Sequence, residues 1–547
     1  MGATNATSAM NTTNATNANG GFTHLGEWLA RREALTPDKI GLIDYATGAR
    51  LSYRTLNQRA RALAVWLHTR YGVTQGDRVA MLALNSPEYL DAFFACALLG
   101  AIFTPLNWRL TPPELATILA DCSPRALIYD PDHESRAEET LALMAQAGQA
   151  EPTHEPSAGQ PTPPPALPRL IPVGAFPGAD AALAAHARPF VSRDGEEIAL
   201  ILYTSGTTGT PKGAMLSHRM ITWNAANTQV SWGLRDDDIA PTFAPLFHAG
   251  GLNVLTTPLY HCGGTVVLLR SSDPATVLRA TVEERCTILF AVPTVYQTLM
   301  EHPEFAATDL SALRFCMTGG SSCPLPIIHG YATRGLGFCQ GYGLTEVGVN
   351  CFSLAPADAV RKAGSVGAPM FHTRARIVDE AERETAPGEV GELTLQGPTV
   401  CSGYWRRPAA TAEAQRDGWW HTGDLARRDD DGYYYIVGRT KDMYISGAEN
   451  VYPAEIEGLL ATHPAIAEVA VIAQPDAKWG EVGVAVVVLR TPDALTADDV
   501  LAFCDGKLAR YKIPRRVVFT GPLPRNAMGK VVKAELRAQF VAPPESA

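Results

Sequence analysis

The stretch "LYTSGTTGTPKG", Leu202 to Gly213, gathers glycines, a run of hydroxyl side chains and one lysine into a single turn. Small residues with free backbone N–H groups and a nearby ammonium are what a chain uses to surround phosphate. The familiar pattern G-x-x-x-x-G-K-[ST] is missed twice. Counted from Gly206, the position before Lys212 is Pro211, and the position after it is Gly213, not a hydroxyl residue. "EIALILY" runs into the turn as a buried strand and "GAMLS" leaves it as a second one, with Ser217 set to cap a helix through "HRMITWNAANTQ". The stretch is therefore a hairpin loop wrapping a phosphate chain from outside, not a loop opening straight into a helix.

At 547 residues the chain exceeds one hydrophobic core and predicts roughly three or four structural units. The net charge of −10 argues against a nucleic-acid partner. Ten cysteines occur without a C-x-x-C pair or a zinc-spaced cluster, which fits a reducing compartment, a cytoplasmic location and no structural metal. The most apolar run, "FFACALLGAIFTPL" from Phe93, is shorter than the ~20 residues a spanning helix needs. It reads as a buried helix and its exit.

The first twenty residues lack both a basic and an apolar signal region, and residues 1–21 are expected as a disordered tail. Strands and helices then alternate, with "RVAMLAL", "RALIYD", "GTVVLL" and "TILFAVP" as buried strands. A Pro-rich piece from Glu151 interrupts them as an exposed loop. From about Gly364 the pattern turns to strands and tight turns, and from Val451 to a small mixed unit in which Thr496 caps a helix through "TADDVLAFCDGKLARY". The predicted fold is α/β: a large N-terminal domain (22–437) of layered α/β subdomains plus a β-rich subdomain, a hinge at 438–442, and a small mobile α+β C-terminal domain (443–547).

Six motifs in order carry a family resemblance: "TSGTTGTPKG" (204–213), "QGYGLTE" (340–346), "GELTLQGPTVCSGYW" (391–405), "HTGD" (421–424), "GRTKDMYISGAENVYPAEIE" (438–457) and "PRNAMGKVVK" (524–533). Together they resemble the adenylate-forming superfamily of acyl-CoA synthetases, luciferases and peptide-synthetase adenylation domains. "ISGAENVYPAEIE" and "LARYKIP" look most like fatty-acyl and aryl CoA ligases. The resemblance implies an acid–thiol ligase: a carboxylate attacks the α-phosphate of ATP, pyrophosphate leaves, and CoA takes the acyl group from acyl-AMP. The acid it implies is a medium- or long-chain fatty acid. An aryl or other acid, and an acyl carrier protein in place of CoA, stay open as alternatives, although no carrier module follows Lys530.

Carried over residue by residue, the resemblance places Thr204, Ser205, Gly206, Thr207, Thr208, Gly209 and Lys212 around the β- and γ-phosphates. Gly319, Gly320, Ser321, Gln340, Gly341, Tyr342 and Gly343 fall on the adenine side. Thr345 meets the α-phosphate, and Glu346, with Thr204, holds Mg2+. Asp424 accepts from the ribose hydroxyls, with Ile436 and Arg439 nearby, and Lys530 bridges carboxylate and nucleotide. His248 is placed at a gate between ATP and acyl pocket, where Gly250 and Gly251 suggest room. Ser446, Gly447, Trp479, Tyr511 and Lys512 are placed along CoA, and Lys441 at the hinge. A fold-retaining binding protein would not need Lys212, Glu346, Asp424, Arg439 and Lys530 together. The partners implied are the acid, ATP and CoA, with no nucleic acid and no transmembrane segment; peripheral membrane contact and a homodimer are compatible with it.

Overall fold

In the computed structural model, which describes residues 24–149, 167–189, 195–204, 211–321, 323–446, 449–476, 478–525 and 531–541, the strand entering the opening loop lies in a six-stranded sheet. Its order is Arg169–Pro172, Ala126–Tyr129, Arg78–Leu82, Ile102–Pro105, Ile198–Thr204 and Lys212–Ser217. All neighbours are parallel except the last pair, which forms the antiparallel hairpin read from the sequence. The apolar run after Phe93 is the buried helix Pro87–Leu99 followed by the strand Ile102–Pro105. Asp91 on that helix is buried and forms a two-point ion pair with Arg59, the closer contact 2.6 Å.

Three further sheets complete the N-terminal part. One runs Ala49–Ser52, Ile40–Asp44, Thr265–Leu268, Ile239–Thr242, and a second Ile288–Ala291, Phe315–Thr318, Phe338–Leu344, Gly348–Leu354, Ala368–Pro369. The third, all antiparallel, is the β-rich part: Arg374–Val378, Gly391–Gln396, Trp419–Arg428 and Gln415–Arg416, with Tyr434–Arg439 also on Trp419–Arg428. A fifth sheet, centred on the long pair Ile466–Asp476 and Gly480–Leu489, has its own apolar core with Tyr444, Ile456 and Val500. The architecture is α/β, with a large N-terminal and a small C-terminal part. No helix among the described residues is long and apolar enough to cross a membrane.

Local signals in the sequence hold where a specific hydrogen bond enforces them. Ser217 caps the helix His218–Trp232 by accepting from Met220 N at 3.2 Å. Thr496 and Asp499 form a reciprocal capping box. The helix starting there is shorter than its apolar pattern suggests and stops at Cys504, because Asp505 is extended and Gly506 takes a left-handed conformation (φ +71°). The first 23 residues and most of the Pro-rich piece lie outside the described residues.

Two histidines of this core, His218 buried and His261 half-buried, are held as neutral groups. Burial, aided by neighbouring His24, pushes the His218 imidazole down to about 3; burial and the Arg32 cation push His261 down to about 4. The folded state thus refuses protons that the unfolded chain takes up below pH 6.5, so stability falls as pH drops from 6.5 toward 4. At pH 5 each histidine costs about 2 kcal/mol. The melting temperature is expected to fall between pH 7.5 and 5, and His218→Leu and His261→Leu should each flatten that dependence even where they lower stability at pH 7.5. A wild-type slope retained in both variants would contradict this.

Candidate active site

Thr204 and Lys212 face each other across the phosphate hairpin, the Thr204 hydroxyl donating to the Lys212 carbonyl at 3.4 Å. Ser205, Gly206, Thr207, Thr208 and Gly209 lie outside the described residues. Next to Lys212, a Cβ on Gly213 would sit 2.7 Å from Ile201 and 3.4 Å from Trp405. Ile201 and Tyr203 of the paired strand leave no room for a side chain there, and segment 399–405 crosses beside it: Ser402 N donates to Met215 O, Met215 N to Gly403 O and Trp405 N to Gly213 O, all at 2.8–2.9 Å.

The same segment fixes the second motif. Phe338–Leu344 and Gly348–Leu354 form a hairpin whose turn is Thr345–Glu346–Val347. Gly343 has no room for a side chain, since a Cβ would lie 2.3 Å from Val349 O. Glu346 is 8% exposed. Its backbone carbonyl accepts from Cys401 N at 2.8 Å, and its carboxylate accepts from the Tyr404 hydroxyl at 3.1 Å. Burial, then the Glu346 charge, raises the Tyr404 phenol above its ordinary range, so it stays a donor. The Lys212 ammonium lies 5.2 Å from the centre of the Tyr404 ring. Tyr404 therefore joins lysine and carboxylate. Sequence reasoning misses this role, because a Tyr before Trp405 reads as packing.

No group of three or more His, Cys, Asp or Glu side chains suited to a metal occurs among the described residues. A lone buried carboxylate fits Mg2+ well, because that ion keeps several waters and takes phosphate oxygens alongside one or two protein carboxylates.

Asp424 is 4% exposed and held at both oxygens: the Tyr342 hydroxyl donates to Oδ2 at 2.6 Å, and Arg439 Nε pairs with Oδ1 at 2.9 Å. Register brings the last two together, since Asp424 and Arg439 are opposite residues of adjacent strands. Burial and the Asp424 charge keep the Tyr342 phenol protonated. Free lone pairs on each oxygen still allow two vicinal hydroxyls to donate. Ile436 lies on the same strand as Arg439, partly buried against the main core.

On the side assigned to the base, Gly319, Gly320 and Ser321 come directly after the strand Phe315–Thr318, and a Cβ on Gly319 would come within 3.3 Å of Gly341 O. Gln340 is buried and accepts from Cys323 N at 3.4 Å. His248 is half-buried, its Nδ1 accepting from Gly250 N at 3.0 Å. Gly250 and Gly251 do not open space. A Cβ on Gly251 would meet Pro245 O at 2.2 Å, so glycine is demanded by close backbone packing. A π-helical stretch, Leu252–Thr256, comes next, a distortion often found beside functional sites.

The remaining positions lie in the C-terminal part or at the turn leading to it. Ser446 is buried on the strand Tyr444–Ser446. Trp479 lies between two cations, Lys478 at 5.2 Å and Arg515 at 5.4 Å from its ring. Tyr511 packs on the C-terminal core, and Lys512 is tied to Glu455 at 2.8 Å. Lys441 sits in the turn after Tyr434–Arg439, its ammonium held below the usual value by partial desolvation and the Arg439 charge. Gly447 and Lys530 lie outside the described residues.

Sequence comparison matches residues 29–405 to the AMP-binding enzyme family and 455–530 to the AMP-binding enzyme C-terminal domain. The chain is 42% identical over 516 residues to a feruloyl-CoA synthase of an Amycolatopsis species, covering 94% of this chain and 99% of that one. It is 40% identical over 540 residues to an indoleacetate–CoA ligase of Aromatoleum aromaticum (95% and 98%). It is 35% identical over 524 residues to the long-chain-fatty-acid–CoA ligase FadD13 of Mycobacterium tuberculosis (95% and 99%). Among solved structures, the o-succinylbenzoate CoA synthetase of Bacillus subtilis in complex with ATP and magnesium superposes with a TM-score of 0.79 at 30% identity, covering 93% of this chain and 99% of that one. A fold of this kind, whose Lys212, Glu346 and Asp424 are held in place by the residues around them, places the chain in the AMP-binding, adenylate-forming enzyme family, as an AMP-forming acyl-CoA ligase that uses ATP, Mg2+ and CoA.

Proposed function

We propose that this ligase activates an aryl-substituted carboxylic acid and transfers it to CoA. The observation that carries the chemistry is the Lys212–Tyr404–Glu346 cluster beside Thr345, with Asp424 anchored between Tyr342 and Arg439. The aryl reading is supported by feruloyl-CoA synthase and indoleacetate–CoA ligase, two relatives named for aromatic acids, at 42% and 40% identity against 35% for the fatty-acid ligase. That last likeness keeps a medium- or long-chain fatty acid as the second reading.

In this mechanism Asp424 accepts from the ribose hydroxyls and fixes where the α-phosphate lies. Thr204 and Lys212 hold the β- and γ-phosphates, and Thr345 reaches the α-phosphate. Glu346 would hold Mg2+, which when bound would supply positive charge against the phosphates of the leaving group. A carboxylate oxygen attacks the α-phosphorus as the bond to the β-phosphate oxygen breaks, and Lys530 offsets the charge that develops between the two anions. The CoA sulfur then attacks the acyl carbonyl and AMP leaves. Residues 22–437 carry the first step, and 443–547 turn about a hinge at 438–442 for the second. Ser446 and Gly447 line the thiol arm. Trp479, with Lys478 and Arg515 beside it, and Tyr511 and Lys512 meet the anionic CoA nucleotide.

A pyrophosphate-release screen is expected to give higher kcat/KM for cinnamic and arylacetic acids than for octanoate or palmitate; the reverse order would select the fatty-acid reading. Asp424→Ala should raise the apparent KM for ATP by about 30- to 100-fold, a loss of about 2–3 kcal/mol, with little change in KM for the acid. An unchanged ATP dependence would reduce Asp424 to a structural residue. Lys530→Ala should abolish adenylation in single turnover yet still convert supplied acyl-AMP to acyl-CoA, whereas Gly447→Leu should do the opposite. Equal loss of both steps in both folded variants would contradict a two-orientation mechanism.

A further inference from the structure

Beside Thr345 an internal cleft runs between the helix His218–Trp232 and the start of the strand Gly348–Leu354. Met220, Ile221 and Val349 give it apolar walls, and Asn224, Asn253 and Thr345 also face it. If Thr345 meets the α-phosphate, this cleft begins where the acid's carboxylate must lie, so a role for the cleft in acid binding rests on the function proposed above.

One wall is not apolar. Asn224 is 2% exposed, on a helix whose neighbouring positions are packed with hydrocarbon. Its Nδ2 donates to the Asn253 carbonyl at 2.8 Å, which fixes the orientation of the amide. Its Oδ1 is consequently turned the other way, is fully buried, and has no hydrogen-bond partner among the described residues. It faces the backbone at Gly348, where a Cβ would stand 3.3 Å from it; Gly348 has φ +89°, so side chains are doubly disfavoured at that point. The cleft is nearly closed, with free space of about 10 Å3, room for about one water. Entry of an acid requires its walls to move, and Met220 is the unbranched, adaptable side chain among them.

A buried amide oxygen left without a donor is destabilising, and a ligand that brings the donor removes that penalty, while one that brings only hydrocarbon leaves it in place. We propose that Asn224 is a specificity-determining residue whose Oδ1 accepts a hydrogen bond from a hydroxyl or ring N–H on the distal, apolar part of the acid. The enzyme then selects acids carrying such a donor over isosteric hydrocarbons and over ethers, which can only accept.

The test compares kcat/KM for cinnamate, its 2-, 3- and 4-hydroxy derivatives and the matching methyl ethers, in the wild type and in Asn224→Leu. In the wild type at least one hydroxy isomer should exceed both cinnamate and its own methyl ether by tenfold or more, mainly through KM. Asn224→Leu should bring that ratio to within about twofold of one, whatever change it makes to the turnover of cinnamate itself. General damage to the fold would lower all acids together and leave the ratio, so the ratio separates recognition from stability. The wild-type series stands alone if the variant does not fold. Turnover of aryl acids without a donor preference, or a preference that survives in Asn224→Leu, overturns the assignment of Asn224 while leaving the aryl reading intact. Turnover of alkanoates only overturns both.

Discussion

The carboxylate of Glu346 is the group around which the site is assembled. A carboxylate this buried must be answered by hydrogen bonds or opposite charge. Tyr404 supplies the hydrogen bond, and Cys401 N pins the backbone of the turn. Because both belong to segment 399–405, which is itself paired to the strand Lys212–Ser217, the turn carrying Thr345 and Glu346 cannot move independently of the phosphate hairpin. Two sheets that share no strand are thereby joined at one point, the point at which Lys212, Tyr404 and Glu346 come together.

Asp424 is held by the same device. Tyr342 leaves one side of the 338–344 strand to hold Asp424, and strand register brings Arg439 to the other oxygen. Both carboxylates are thus oriented by a half-buried phenol whose own ionisation is suppressed, which keeps the donor present across the neutral range. Arg439 lies two residues before Lys441, so the Asp424–Arg439 pair and the turn leading to the C-terminal sheet are adjacent in the chain.

How much of this is legible in the sequence depends on the range of the interaction concerned. The phosphate hairpin is legible because Gly, Pro and hydroxyl residues punctuate two apolar strands, and Ser217 and Thr496 are legible because a cap needs only three residues. The helix after Thr496 is overestimated, since a single left-handed glycine outweighs its periodicity. Roles for Asp424 and Glu346 emerge through motif order alone; locally each is an acid in a turn. Tyr404 has no local sign of its function, because its partners lie 58 and 192 positions away in Glu346 and Lys212. Gly250 and Gly251 mislead for the same reason: the backbone they accommodate is visible only in three dimensions. Asn224 offers a faint sign, an amide three and four positions from Ile221 and Met220 on a helix's apolar side.

The central claim, that this cluster joins a carboxylate to the α-phosphate of ATP, is tested most directly by isotope transfer. Turnover of an acid whose carboxylate carries 18O at both oxygens, in the presence of ATP, Mg2+ and CoA, is followed by mass spectrometry of the nucleotide product. The mechanism predicts AMP bearing one 18O, with unlabelled pyrophosphate. Unlabelled AMP, or ADP accompanied by labelled phosphate, would contradict it.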